Sequence, residues 1–181
     1  MFVEKLYSLG APAARTRNIY RIMKIISGAQ TGADRAALDV AIMLGLRYGG
    51  WVPKGGWAED FPNPPGVLGK YPDMIETETS IPAERTRLNV RDSDATLVLV
   101  TNSDTDTSPG TDLTRETAEE LGRPFLIVQV DQPDAANLVR DWLVGLSDSN
   151  VLNIAGPRES ESPGLYLLSR TLLEKVLSQP I

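Results

Sequence analysis

Cysteine and histidine are both missing from these 181 residues. Their absence removes a thiol nucleophile, a disulfide framework, a zinc site of the usual ligand types and a histidine general base. Any chemistry would rest on carboxylates, Arg, Lys, Ser, Thr or Tyr. No apolar run approaches the ~18 residues needed to cross a bilayer. The start, Met1-Phe2-Val3-Glu4-Lys5-Leu6-Tyr7, lacks the apolar centre of a secretory signal. A cytoplasmic protein with no membrane partner is expected. A basic excess is lacking too: 18 Lys and Arg stand against 24 Asp and Glu, a net charge of −6. That balance argues against a broad nucleic-acid surface, though it allows a local cluster of arginines at a pocket.

What is present fits one folded domain. The length suffices for a single full core, and the apolar share of 41% is near the globular average. Residues 1 to 22 carry Lys5, Arg15, Arg17 and Arg21 against Glu4 with no sustained periodicity, and read as an N-terminal extension. From residue 23 to 181, short apolar runs alternate with helical patterns. The strand candidates are Lys24–Ser27, Tyr48–Val52, Ala95–Val100, Phe125–Val130 and Val151–Ile154, continuous runs of the kind buried on both faces. The spacing predicts helices over Ala33–Leu44, Ala83–Arg91, Thr111–Leu121, Ala135–Leu146 and Leu165–Leu177. Inward stripes include Thr114, Ala118 and Leu121 in the third, Leu138 in the fourth and Leu168 in the fifth. Strands alternating with helices imply an α/β Rossmann-like domain: a mainly parallel sheet of five or more strands with helices on both faces. Between Pro53 and Pro82 a Pro- and Gly-rich stretch breaks this rhythm. Its Trp57, Phe61 and Tyr71 argue against disorder and for a loop that covers a ligand.

In such sheets ligands bind beyond the carboxyl ends of the strands. "KIISGAQTGADRAALD", residues 24 to 39, ends a strand in a turn with two glycines and passes directly into a helix. Gly28 and Gly32 would let the backbone approach a ligand, the helix N–H groups would face an anion, and Gln30 and Thr31 add hydrogen bonds. A tight turn that binds nothing fits the same residues. "SPGTDLTRE", residues 108 to 116, repeats the arrangement, with Gly110-Thr111 before a helix and Thr111 a possible N-cap. Between them Arg85, on a helix, reads either as a ligand for a phosphate or carboxylate or as the partner of Asp92 or Asp94. Asp34 suits the first turn of its helix, and Asp39 pairs with Arg35 at helical spacing. Neither that pair of acids nor Glu59/Asp60 reads as a general acid/base couple. A third turn, Gly156-Pro157-Arg158 with Ser160 beyond, ends the last strand on the same sheet edge.

The stretches "SGAQTGADRAALD", "GGWVPKG", "YPDMIET", "ERTRLNVRDSDATLVL", "GTDLTRETAEELGRP" and "VLNIAGPRESESPGLY" together resemble the molybdenum carrier proteins, within the SLOG group of Rossmann-like nucleotide-binding domains. That resemblance implies a homo-oligomer, dimer or tetramer, that binds a small phosphorylated ligand. It implies molybdenum cofactor (molybdopterin) as that ligand, a nucleotide as the alternative, and a molybdoenzyme as recipient. The candidate ligand-binding residues are Gly28, Gln30, Thr31, Gly32, Asp34, Arg35, Trp57, Arg85, Gly110, Thr111 and Thr114, where Trp57, by its residue type, would either stack on a planar ring or pack under its loop. With no cysteine or histidine the chain offers molybdenum no soft ligand, so the sulfur would come from the pterin. The sequence also resembles the related "lonely guy" phosphoribohydrolases. Their Gly-Thr-x-x-Glu motif reads Gly110-Thr111-Asp112-Leu113-Thr114 here. Arg85 matches their arginine, but Thr114 cannot replace the catalytic carboxylate. Glu116 lies about 200° further round the helix. Retained binding groups without the acid imply a binder rather than an enzyme.

Overall fold

The computed structural model describes residue 22 and residues 24–101, 109–146 and 150–178. Of residues 1–22 only Ile22 falls among these, and it packs against the main core. Ser108 lies outside the described residues.

The first strand, β1 (Lys24–Ile26), runs into Ser27, which stays bonded to the strands on either side. Its N–H donates to Gly49 O at 3.1 Å and its hydroxyl to Ile154 O at 2.7 Å. Helix α1 (Ala33–Met43) follows, then β2 (Arg47–Val52), β3 (Met74–Glu76), α2 (Pro82–Arg91), β4 (Ala95–Val100) and α3 (Pro109–Glu120). The chain closes with β5 (Phe125–Gln129), α4 (Ala135–Gly145), β6 (Val151–Ala155) and α5 (Leu165–Leu177). Pro82 opens α2, where a missing N–H costs nothing.

All strand pairs are parallel, in the order β3-β2-β1-β6-β4-β5. The chain moves outward through β1, β2 and β3, crosses to β4 and β5, and returns to insert β6 between β1 and β4. If β6 is counted first, the order becomes that of a doubly wound sheet whose direction reverses between β6 and β4. The strands thus form the α/β Rossmann-like domain expected from the sequence, with one strand more than the five predicted.

The two faces of the sheet differ in chemistry. Along β4 and β6 alternate residues point to opposite sides. Leu97, Leu99, Leu152 and Ile154 join α1, α4 and α5 in the main apolar core. Thr96, Val98, Asn153 and Ala155 face the layer made by α2 and α3, where Asn89, Thr111 and Thr114 are also buried. A polar inner layer on one side of a parallel sheet makes room for a binding cleft.

Three predicted inward positions turn outward: Leu121, Leu138 and Leu168 are exposed, because the stripes they extend reach the ends or flanks of their helices. Gly110 and Thr111 lie inside the first turn of α3 rather than before it. The stretch from Pro53 to Pro82 is a structural wrap, not a loop over the cleft. It carries β3 on the sheet edge, one 3₁₀ turn at Gly66–Gly69 and an Ala58–Phe61 bridge. Val67, fully buried Tyr71 and Met74 close a second apolar core with Ala29, Leu38 and Val52. Hydrophobic burial accounts for Phe61 and Tyr71, which pack in this second core, while Trp57 joins neither core.

Candidate functional site

At the reversal point between β6 and β4 two cavities meet. The deeper, of about 50 Å³, is lined by Val98, Asn153, Ala155 and Gly156 from the strand ends, by Gly28 and Asp34, by Arg85, Thr86 and Asn89 of α2, and by Gly110, Thr111 and Thr114 of α3. The outer, of about 320 Å³, is bordered by Gln30, Pro82, Ala83, Pro109, Leu113, Arg158 and Glu161. Arg85, Thr86, Gly110 and Gly156 line both, so the two form one cleft with a wide mouth and a narrow floor. The N-terminal turn of α3 edges it, bringing the positive end of a helix dipole to the mouth.

Arg85 spans the cleft and ion-pairs with Asp34 at 2.9 Å. Neither Asp92 nor Asp94, the partners considered from sequence, receives it. Asp92 takes Arg91 at 2.7 Å and Trp51 Nε1 at 2.7 Å, and Asp94 accepts the N–H groups of Asn150 and Val151. Burial pushes the Asp34 carboxyl above its usual range although Arg85 pulls it down. Gly28 makes the pair possible: a Cβ there would sit 1.6 Å from Arg85 Nη1 and 2.7 Å from Asp34 Oδ2. The space that glycine leaves is filled by the guanidinium, not left open for a ligand.

The other groups of the β1–α1 turn bind protein. Gln30 N–H donates to Asp34 Oδ2 at 3.3 Å. Gln30 Oε1 accepts from the N–H groups of Thr31 and Glu59, each at 3.0 Å. Thr31 Oγ1 bonds Glu59 and accepts from Glu159 N–H at 3.0 Å. Gly32, at φ +71°, lies against the β6–α5 turn, where a Cβ would meet Pro157 O at 2.4 Å. Protein acceptors thus hold the N–H groups of both Gln30 and Thr31. Of this turn, Gly28, Gln30 and Asp34 reach the cleft.

Thr31, Gly32 and Arg35 line a separate cavity of about 310 Å³ with Asp39, Asp60, Lys70, Glu159 and Tyr166. Arg35 is buried, bidentate to Asp60 at 2.7 and 2.9 Å, bonded to Ala29 O at 3.2 Å, and lies over the rings of Phe61 and Tyr71. Burial alone would lower its pKa, but the bonds to Asp60 raise it. Asp60, not Asp39, is its partner. Asp39 instead accepts from Tyr71 Oη at 2.6 Å, Tyr166 Oη at 2.9 Å and Lys70 Nζ at 3.3 Å. These contacts outweigh burial and hold its carboxyl below the usual range. Glu59 is likewise lowered, with the hydroxyls of Ser160 and Thr31 overcoming burial. The carboxylates of Asp39, Glu59 and Asp60 each serve as hydrogen-bonded structural anchors.

Trp57 is half-buried and lines neither part of the cleft nor the separate cavity. Thr114 does line the cleft floor, its Oγ1 donating to Gly110 O at 2.8 Å. Glu116 is exposed, as its angular offset requires. Asn153 was not picked out from the sequence, although one signal was there: a single polar residue interrupts the apolar run Val151–Ile154.

The circularly permutated YpsA SLOG family matches residues 25–177. A solved structure, that of Putative molybdenum carrier protein from Syntrophus aciditrophicus SB, is 43% identical with a TM-score of 0.78. The alignment covers 87% of this chain and 96% of that one. No curated protein matches. The insertion of β6 at the centre of the sheet agrees with a permuted chain order, and this chain belongs to the circularly permutated YpsA SLOG family.

Proposed function

We propose that this chain is a non-catalytic binding or carrier protein whose cargo is molybdenum cofactor or a related phosphorylated pterin, held in the cleft between β6 and β4. The observation that carries this reading is the cleft itself. It opens where a doubly wound sheet reverses and is edged by the positive end of α3, with Arg85 across it and Thr114 on its floor. The name of the Syntrophus structure supports molybdenum cargo. Lacking cysteine and histidine, the chain would grip the pterin body and phosphate while the pterin's dithiolene sulfurs hold the metal. We take the protein to be a homo-oligomer, a dimer or tetramer, that delivers its cargo to a molybdoenzyme.

A nucleotide of AMP or ADP-ribose type is the second reading, favoured by the position of the cleft, which is where doubly wound sheets take nucleotides. Native mass spectrometry of protein purified from its own cells without added ligand separates the two. A bound molybdopterin mass supports the carrier, whereas a nucleotide mass moves the protein to the sensor class. Release of free base from AMP, lost in Glu116→Gln, would overturn the non-catalytic reading.

A further inference from the structure

Two polar atoms on the floor of this cleft have no hydrogen-bond partner among the described residues. Asn153 is 2% exposed at the centre of β6. Its Nδ2 donates to Thr96 Oγ1 at 3.3 Å on the neighbouring strand, which orients the amide, while its buried Oδ1 accepts nothing. Arg85 Nε is also buried and unpartnered, although Nη1 of the same guanidinium is committed to Asp34. Both residues line the deep cavity. A buried acceptor and a buried donor left unmade are costly, and a ligand that satisfies both recovers that cost.

The charge balance fixes which end of a ligand this suits. Asp34 and Arg85 already neutralise each other on the floor, and an anion brought there would face the Asp34 carboxylate. The mouth offers the N-terminal turn of α3 and Arg158, itself paired with Glu161 at 3.1 Å. A cavity of about 50 Å³ also admits the edge of a ring rather than a whole ring.

We infer that Asn153 is a specificity-determining residue that reads the edge of a planar ring bearing an N–H donor beside an acceptor. The ring N–H donates to Asn153 Oδ1, Arg85 Nε–H donates to the neighbouring acceptor of the ring, and the phosphate stays outward at the mouth. This inference rests on the cleft being the binding site proposed above. It names the chemistry that a pterin lactam and a 6-oxopurine base share.

Calorimetric titration of the purified chain with three nucleotides tests it. Inosine 5′-monophosphate carries the lactam edge, a ring N–H beside a carbonyl; AMP reverses donor and acceptor along that edge, and purine riboside 5′-monophosphate has the bare ring nitrogen without a donor. The first should bind about tenfold more tightly than the other two, the effect of one hydrogen bond left unmade. Asn153→Leu should bring all three within about twofold by weakening the first. Equal affinity of the three for the unsubstituted protein overturns the inference, as does a gap that survives Asn153→Leu. If that variant does not fold, the comparison on the unsubstituted protein decides alone. Binding of all three without a gap leaves the cleft as a phosphate site and removes only the role of Asn153. Binding of none overturns the inference, while a molybdopterin mass in the native spectrum would still leave the carrier standing.

Discussion

Gly28→Ala places one methyl group where the Arg85 guanidinium now lies, 1.6 Å from Nη1. The terminus of a long side chain can move away, so the steric cost is small, but moving it breaks the 2.9 Å ion pair with Asp34. Removing one partner of a buried pair costs about 3–5 kcal/mol. Two features reduce that figure here. The Arg85 side chain keeps 16% of its exposure, and Asp34 can take up a proton once the cation leaves. A loss of about 2–4 kcal/mol in urea unfolding at pH 7 is expected. The pH dependence has a definite sign. Burial already raises the folded-state pKa of Asp34 above its ordinary 3.8, and losing Arg85 raises it further. The deficit should therefore be full at neutral pH and shrink as pH falls toward the range where Asp34 is protonated. In an Arg85→Ala background the methyl finds the guanidinium gone, and Gly28→Ala should cost less than about 1 kcal/mol, a coupling of about 2 kcal/mol. A Gly28→Ala protein within about 0.5 kcal/mol of the parent, or additive costs in the double variant, would refute the assignment of Gly28 to the ion pair.

Gly32→Ala meets both a φ of +71° and a backbone oxygen, Pro157 O, 2.4 Å from the new Cβ. It should cost about 2–4 kcal/mol in the same assay and loosen the turn after β6, read as faster amide exchange there. Asp39→Asn weakens the charge-assisted bonds from Tyr71 and Tyr166 and should cost about 1–2 kcal/mol at pH 7. Because these partners hold the folded carboxyl below its ordinary 3.8, its stabilisation is complete above that value and fades as pH falls through the folded one. Denaturation curves of parent and variant should thus converge in acid, and a deficit that persists there would show that packing rather than charge is lost.

Much of the architecture was legible because burial on a parallel sheet leaves a simple trace. Strands covered on both faces must be apolar throughout, so Ala95–Val100 is found with the predicted bounds and four other strands lie within a residue or so of theirs. Helices with one buried stripe repeat at helical spacing, and Leu165–Leu177 agrees at both ends. β3 was missed because its three residues include Ile75 and Glu76, both exposed on a sheet edge, and so leave no apolar run. For the same reason the wrap from Pro53 to Pro82 resembled a ligand loop. Its Phe61 and Tyr71 mark a second core that forms only when α1 and β2 are beside it.

The site divides in the same way. Sequence alone determined that glycine-bearing turns follow β1 and β6, that glycine and threonine open α3, and that Arg85 precedes β4, since local backbone demands select those residues. It also determined that no thiol or imidazole chemistry is available. Which groups meet was decided only by the tertiary structure. Arg85 and Asp34 are 51 residues apart, Thr31 and Glu159 128, and Asn153 faces Thr96 because β6 inserts beside β4. These partnerships depend on strand order and on which face each residue occupies. Strand order is set by the packing of whole helices and strands, a nonlocal balance of burial that no short stretch of sequence records.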